Sequence, residues 1–271
     1  MLVWINGRLM NEAEARISPL DHGLLTGDGV FESVRVSSGR PFALGRHLSR
    51  LARSASGLGI SCPDAATLRA ACAEVVAANR LELGKLRITV TAGPAPLSSE
   101  RGEGPPTVVV AGSPLSPWSP VADVVVVPWR RNEQGAMAGI KSISYAENVR
   151  ALAEARKAGA DEAIFANTAG RLCEGTGTNV FVGTMDRLLT PPLTSGCLAG
   201  VTRELLLEAG VAEEADLALD ALGQADEAFL SSTTRVVQPI RAVDGTALPA
   251  VPGPLTKKAA QVMAELEERE R

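Results

Sequence analysis

The chain has 271 residues, 45% of them apolar and 3% aromatic, with 27 basic against 31 acidic side chains and a net charge of −4. That length buries a large core in one big domain or two smaller ones, and the apolar content excludes a disordered chain. The mildly acidic balance argues against a nucleic-acid coat or a polybasic membrane binder, and no apolar run reaches the roughly 18 residues that a bilayer span needs.

In chain order, Met1 to Gly7 lacks the charged region and long apolar stretch of a signal peptide and reads as a first strand. Gly29 to Val36 is a strand that ends at Ser37-Ser38-Gly39-Arg40. Alternation puts Val30, Glu32, Val34 and Val36 on one face and Phe31, Ser33 and Arg35 on the other. Helices are expected from Gly45 to Leu58, with Leu44, Leu48, Leu51 and Ala55 as the apolar stripe, and from Ala65 to Asn79. Strands Lys85 to Thr91 and Thr107 to Ala111 flank a loop from Gly93 to Pro106. Three prolines in Ser113 to Pro120 mark a linker.

Beyond the linker come a strand from Val121 to Val127 and a helix from about Ala146 to Ala158. A strand pair, Glu162 to Asn167 with Asn179 to Val182, is separated by the run 169–178. The helix Val201 to Ala209, the strand Glu227 to Ser231 and a charged helix from about Leu255 close the chain. The mixed order predicts an α+β fold with two lobes: a small N-terminal α/β lobe (1–113), a linker (114–120) and a larger C-terminal mixed lobe (121–271). Cys62, Cys72, Cys173 and Cys197 show no C-x-x-C spacing, which suits a reducing, cytoplasmic setting. Two histidines, His22 and His47, are too few for a His-rich metal centre, so no metal is expected and acid-base work falls on Lys, Tyr or carboxylates.

Four segments place reactive groups beside glycines and turns. Gly27-Asp28-Gly29 feeds the strand that carries Phe31, although alone it reads first as a tight turn. Lys141 follows the apolar run Ala136-Met137-Ala138-Gly139-Ile140. A lysine in apolar surroundings has a lowered pKa and becomes a nucleophilic amine, although alone Lys141 reads first as a solvated lysine at a helix start. Glu174 sits against Gly175 and Gly177 ahead of a buried strand, where a carboxylate needs a partner. Gly200-Val201-Thr202 opens a helix whose unpaired N–H groups suit an anion, and Ser232, Thr233 and Thr234 add hydroxyls at a strand end.

Taken together, Gly27-Asp28-Gly29-Val30-Phe31-Glu32, His47-Leu48-Ser49-Arg50-Leu51, Lys141 with Tyr145 and Asn148, Glu174-Gly175-Thr176-Gly177-Thr178-Asn179, Gly200-Val201-Thr202-Arg203 and Ser232-Thr233-Thr234 resemble the class IV aminotransferases. This pyridoxal-phosphate fold type IV family contains D-amino acid transaminases, branched-chain aminotransferases and aminodeoxychorismate lyases. The resemblance spans nearly the whole chain. It implies that Lys141 holds pyridoxal phosphate as a Schiff base and moves the proton between Cα and C4′. It implies that Glu174 pairs with the pyridine N1, and that Arg50, Val201, Thr202, Thr233 and Thr234 bind the phosphate. Tyr145 would hydrogen-bond the cofactor or the lysine.

For the substrate, the arginine and histidine by which D-amino acid transaminases grip the α-carboxylate are missing from Thr91-Ala92-Gly93-Pro94-Ala95-Pro96. Arg35, on the face of Phe31 and Ser33, and Arg101 could take over. The Phe31-Glu32-Ser33-Val34-Arg35 run is similar to that of aminodeoxychorismate lyases. The expected activity is therefore transamination between a D-amino acid or R-amine and a 2-oxo acid. The alternative is a lyase forming 4-aminobenzoate and pyruvate. The resemblance also implies a homodimer, with the cofactor cleft between the lobes and residues of the Phe31 strand available to the neighbouring site.

Overall fold

The computed structural model describes residues 1–270 and divides the chain into two compact units. Residues 1–116 form the bulk of the first unit, residues 117–139 and 146–269 form the second, and the short segment 140–145 packs with the first.

In the first unit, β1 (Leu2–Ile5), β2 (Arg8–Asn11), the one-turn α1 (His22–Leu25), β3 (Gly29–Ser37), β4 (Arg40–Pro41), α2 (Leu44–Leu58), α3 (Ala65–Ala78), β5 (Leu83–Thr91) and β6 (Thr107–Pro114) follow in chain order. The strands make one antiparallel sheet in the order β2-β1-β6-β5-β3-β4. Helices α2 and α3 cover one of its faces. Leu48, Leu51 and Ala55 of α2 and Leu68, Cys72 and Val75 of α3 meet Val30, Val34, Leu86, Ile88 and Val90 in a single apolar cluster. Helix α2 stops because Gly59 takes φ +67° and turns its N–H back to Ser56 and Ala55 carbonyls, a left-handed cap that glycine adopts without strain. Helix α3 starts where the Asp64 carboxylate accepts the Thr67 N–H at 2.8 Å.

Segment 140–145 lies along the beginning of β3. Phe31 N–H donates to the Lys141 carbonyl at 3.0 Å, Ile143 N–H donates to Gly29 at 2.9 Å, and Ser142 bridges Val30. Ile140 packs on the apolar cluster of the first unit. The expected second lobe, 121–271, includes this segment. The expected linker begins inside β6, whose ladder reaches Pro114 opposite Gly84.

The second unit holds β7 (Ala122–Arg131), α4 (Ala146–Lys157), β8 (Glu162–Asn167), β9 (Leu172–Gly175), β10 (Asn179–Thr184), β11 (Arg187–Thr190), α5 (Val201–Glu208), β12 (Glu213–Glu214), β13 (Glu227–Ser232), β14 (Val236–Val243), β15 (Thr246–Ala247) and α6 (Pro254–Arg269). Its sheet runs β12-β11-β10-β13-β14-β7-β8-β9, with β15 on β14. Strands β7 and β8 are parallel and joined through α4, as a crossover connection requires. Ala151 and Ala155 of α4 pack against Val127, Ala163 and Phe165 on one face, and Ile164, Val180, Leu230 and Ile240 lie in a separate apolar cluster.

One strand pairing corrects the sequence reading. Glu162–Asn167 does not pair with the strand at Asn179. It pairs with β9, which the run 169–178 conceals, while β10 lies between β11 and β13. Leu172 and Cys173 are buried, so β9 is a short strand set between turn glycines, too brief to show a period of its own.

Candidate active site

Strand β3 sets out the first half of the site. Its core face carries Val30, Glu32, Val34 and Val36, and its other face carries Phe31, Ser33 and Arg35, as alternation requires. Phe31 is the centre of a cluster. The Lys141 Nζ lies 4.3 Å from its ring centroid, and the Tyr145 ring meets it edge-on at 5.5 Å. The hydrogen bonds that hold 140–143 along β3, with the Ser54 hydroxyl accepting the Lys141 N–H at 3.2 Å, fix the backbone from which this lysine projects.

A fourth member of the cluster was not expected from sequence. Arg87 of β5 stands directly opposite Ser33, and its guanidinium carbon lies 3.8 Å from the Phe31 ring centroid. Partial burial lowers the proton affinity of Arg87, with Tyr145 opposing. Among the described residues no carboxylate pairs with Arg87. The alternation of Leu86, Ile88 and Val90 into the core was the available signal, because it sends Arg87 and Thr89 to the face of Phe31.

Two other groups of charges surround β3. On its core side, the buried Glu32 accepts from Arg50 Nε and Nη2, each at 2.7 Å, and its Oε2 lies 2.7 Å from His47 Nδ1. Burial pushes the Glu32 carboxyl up, but the bonds from Arg50 and His47 outweigh it and bring it down to about 2. Arg50, expected at the cofactor phosphate, thus has two nitrogens engaged by Glu32.

At the mouth of β3, Arg101 grips both oxygens of Asp28 at 2.7 Å and donates to the Leu58 carbonyl at 2.5 Å. His22, on the far side of Asp28, is 3.1 Å from the Ser98 carbonyl. Arg101 therefore serves to tie the loop after β5 to Asp28 and the end of α2. Its hydrogen bond is the chief reason that the Asp28 carboxyl lies below its ordinary value.

The second unit assembles the other expected residues at one end of its sheet. Glu174 of β9 accepts the Leu198 N–H at 2.9 Å, and Asn179, at the start of β10, donates to the Leu198 carbonyl at 2.8 Å. Asn179 pairs in register with Ser231 of β13. Gly200, the residue before α5, is required there. A Cβ on it would sit 2.0 Å from Asn179 Oδ1, so a side chain would push the clasp open. Val201 and Thr202 then open α5, both buried, with first-turn N–H groups that have no carbonyl four residues back in the helix. Thr233 and Thr234 occupy the turn between β13 and β14, and the buried Ser231 and Thr178 hydroxyls have no partner among the described residues.

The model of the family described as amino-transferase class IV matches residues 29–243. The chain belongs to the class IV aminotransferases. It is 35% identical to the D-alanine aminotransferase of Bacillus licheniformis over 95% of this chain and 94% of that protein. It is 31% identical to the aminodeoxychorismate lyase of Bacillus subtilis over 90% of this chain and 87% of that protein. Among solved structures it resembles the branched-chain aminotransferase of Thermoproteus uzoniensis, determined with norvaline. The TM-score is 0.91 at 33% identity, covering 100% of this chain and 96% of that one.

Class IV aminotransferases have the two-lobed α+β fold type IV and use pyridoxal phosphate. The residues present fit that cofactor. The first unit supplies an amine over an aromatic ring, and the second supplies a carboxylate anchored by a backbone N–H and a helix start that carries the buried Thr202. Among the described residues no cluster of His, Cys, Asp and Glu could hold a metal, and no helix is long and apolar enough to cross a membrane.

Proposed function

We propose that this aminotransferase moves an amino group between a D-amino acid, or an R-amine, and a 2-oxo acid, with Lys141 as the residue that binds the cofactor and carries the proton. The observation that carries the reading is the Lys141 amine over the Phe31 ring, with Tyr145 and Arg87 on that ring as well. Bound pyridoxal phosphate supplies an electron sink for negative charge at the substrate Cα. Lys141 moves a proton between Cα and C4′, which needs one amine close to both atoms and no histidine. Glu174 keeps a proton on the pyridine N1. The first-turn N–H groups of Val201 and Thr202, the hydroxyls of Thr233 and Thr234 and the guanidinium of Arg50 bind the phosphate dianion.

Arg87 is the substrate-carboxylate residue in this reading, because it is a cation on the face of Phe31, Ser33 and Arg35 that no carboxylate among the described residues pairs with. Arg101 is the weaker choice, since its Nε and Nη2 are occupied by Asp28 and its Nη1 by the Leu58 carbonyl. The likeness to a D-alanine aminotransferase supports the choice of donor.

A second reading, release of 4-aminobenzoate and pyruvate from aminodeoxychorismate, is favoured by the Phe31-Glu32-Ser33-Val34-Arg35 run and by the likeness to a lyase of that name. Incubating the cofactor-loaded protein with D-alanine and 2-oxoglutarate, and separately with aminodeoxychorismate, separates the two. Glutamate formed in the first reaction and no 4-aminobenzoate in the second supports transamination, and the reverse supports the lyase. Homodimer formation is part of the same proposal, and sedimentation of the loaded protein measures it.

A further inference from the structure

Asn148 belongs to the motif of Lys141 and Tyr145, yet it projects from α4 to a different task. Its Oδ1 accepts from Arg131 Nη1 at 3.0 Å, and its Nδ2 donates to the Thr176 carbonyl. Arg131 is the last residue of β7. It lies with its guanidinium carbon 4.2 Å from the Phe165 ring centroid, and Phe165 is the register partner of Glu174 across β8 and β9. The Arg131 Nε is buried, forms no directed hydrogen bond, and stands 3.2 Å from Glu174 Oε1. A guanidinium held by an amide on one side and an aromatic face on another is thus set beside the carboxylate as a fixed charge.

The other oxygen of Glu174 is fixed by the Leu198 N–H. Thr176, whose carbonyl receives Asn148, has its own N–H and hydroxyl on the buried Glu162, which in turn is 3.2 Å from Arg235 Nη2. Asn148 is therefore pinned from behind. The titratable groups that face this pair are Glu147, 3.6 Å from Arg131 Nη1 on α4, together with the Cys173 and Cys197 thiols.

We infer that Arg131, held by Asn148 and Phe165, is a positioning residue for the transamination: it keeps Glu174 oriented and charged beside the pyridine nitrogen. The inference rests on the assignment of Glu174 to that nitrogen. An opposite charge within 4 Å favours the carboxylate over the acid, and only the carboxylate can hold a proton on N1. Losing Arg131 removes one positive charge near the cofactor. A cationic group elsewhere on the cofactor then binds its proton more tightly.

The test compares Arg131→Gln, Arg131→Lys and Asn148→Ala with wild type and with Thr202→Val, which touches only the phosphate side. Three quantities are read: the dissociation constant from titrating cofactor-free protein with pyridoxal phosphate, the pH midpoint of the visible cofactor band, and kcat against KM. Arg131→Gln should move the midpoint upward by about half a pH unit, a threefold change in proton affinity, and lower kcat at least tenfold with KM within threefold. Arg131→Lys should restore the midpoint to within a few tenths of a unit, and Asn148→Ala should shift it part of the way. Thr202→Val should weaken cofactor binding and leave the midpoint in place.

If Arg131→Gln binds cofactor and melts at a lower temperature but keeps both midpoint and kcat, Arg131 is only a packing residue and the inference is overturned. A wild-type protein whose visible band survives in Lys141→Ala, or that has no such band, overturns instead the functional reading beneath it.

Discussion

Glu32 is fully buried, and its carboxyl is held at about 2 against an ordinary 4.5. The sign follows from that depression. The stabilisation is complete above the unfolded value and disappears as pH falls from about 4.5 towards 2, and the shift corresponds to roughly 3 kcal/mol. Glu32→Gln should lower the urea stability of the cofactor-free protein at pH 7 by about 3–5 kcal/mol, because the buried Arg50 loses the carboxylate that pairs with it. It should also flatten the stability profile between pH 4.5 and 2. Denaturant titrations at three pH values check both effects, and a variant as acid-sensitive as wild type would contradict them.

Arg87→Gln should raise KM for the 2-oxo acid about 10- to 100-fold and leave kcat within about threefold, the mark of a contact made equally in ground and transition states. Steady-state kinetics on the two substrates decide it. Lys141 and Glu174 were candidates in the sequence because their runs resemble those of class IV aminotransferases, and neither stands out by itself. Arg87 was no candidate, since a lone charged residue inside a strand shows its purpose only when the partner strand brings Ser33 and Phe31 alongside. Arg131 was hidden in the same way, because β7 extends four residues past the expected end at Val127.

At the scale of elements, the loop after β5 is secured from outside by Arg101, which bridges Asp28 and the end of α2. Arg101→Gln should speed amide exchange across residues 94–103 at least tenfold while KM for the oxo acid changes by less than about threefold. Exchange measured by mass spectrometry gives the first value and kinetics the second. A large rise in KM with unchanged exchange would return Arg101 to the role of substrate ligand. Gly200 makes the corresponding point at the start of α5. Gly200→Ala forces Asn179 from the Leu198 carbonyl, so cofactor affinity should fall about tenfold in a titration of the cofactor-free protein. Unchanged affinity would separate that helix start from the phosphate.

The elements themselves were readable where length and periodicity were sufficient, as in α2 with its stripe of Leu48, Leu51 and Ala55. Strands of four residues or fewer, such as β9 and β11, show no period. Both pair with the strand just before them, β9 with β8 and β11 with β10, but a strand with no period to mark it is passed over, which is why β8 was matched with the next recognisable strand.

Over the whole molecule, each unit has its own apolar core, and segment 140–145 belongs with the first. Lys141, Tyr145, Phe31 and Arg87 lie in one unit and Glu174, Thr202 and Thr234 in the other, so each group can be altered separately. The most direct test of the central claim is a single turnover of the cofactor-loaded protein with D-alanine and no acceptor. The account predicts loss of the visible cofactor band, close to one pyruvate released per chain and pyridoxamine phosphate recovered from the protein, with none of the three in Lys141→Ala. A band that persists with D-alanine and every other amino donor, while aminodeoxychorismate yields pyruvate and 4-aminobenzoate, would contradict it.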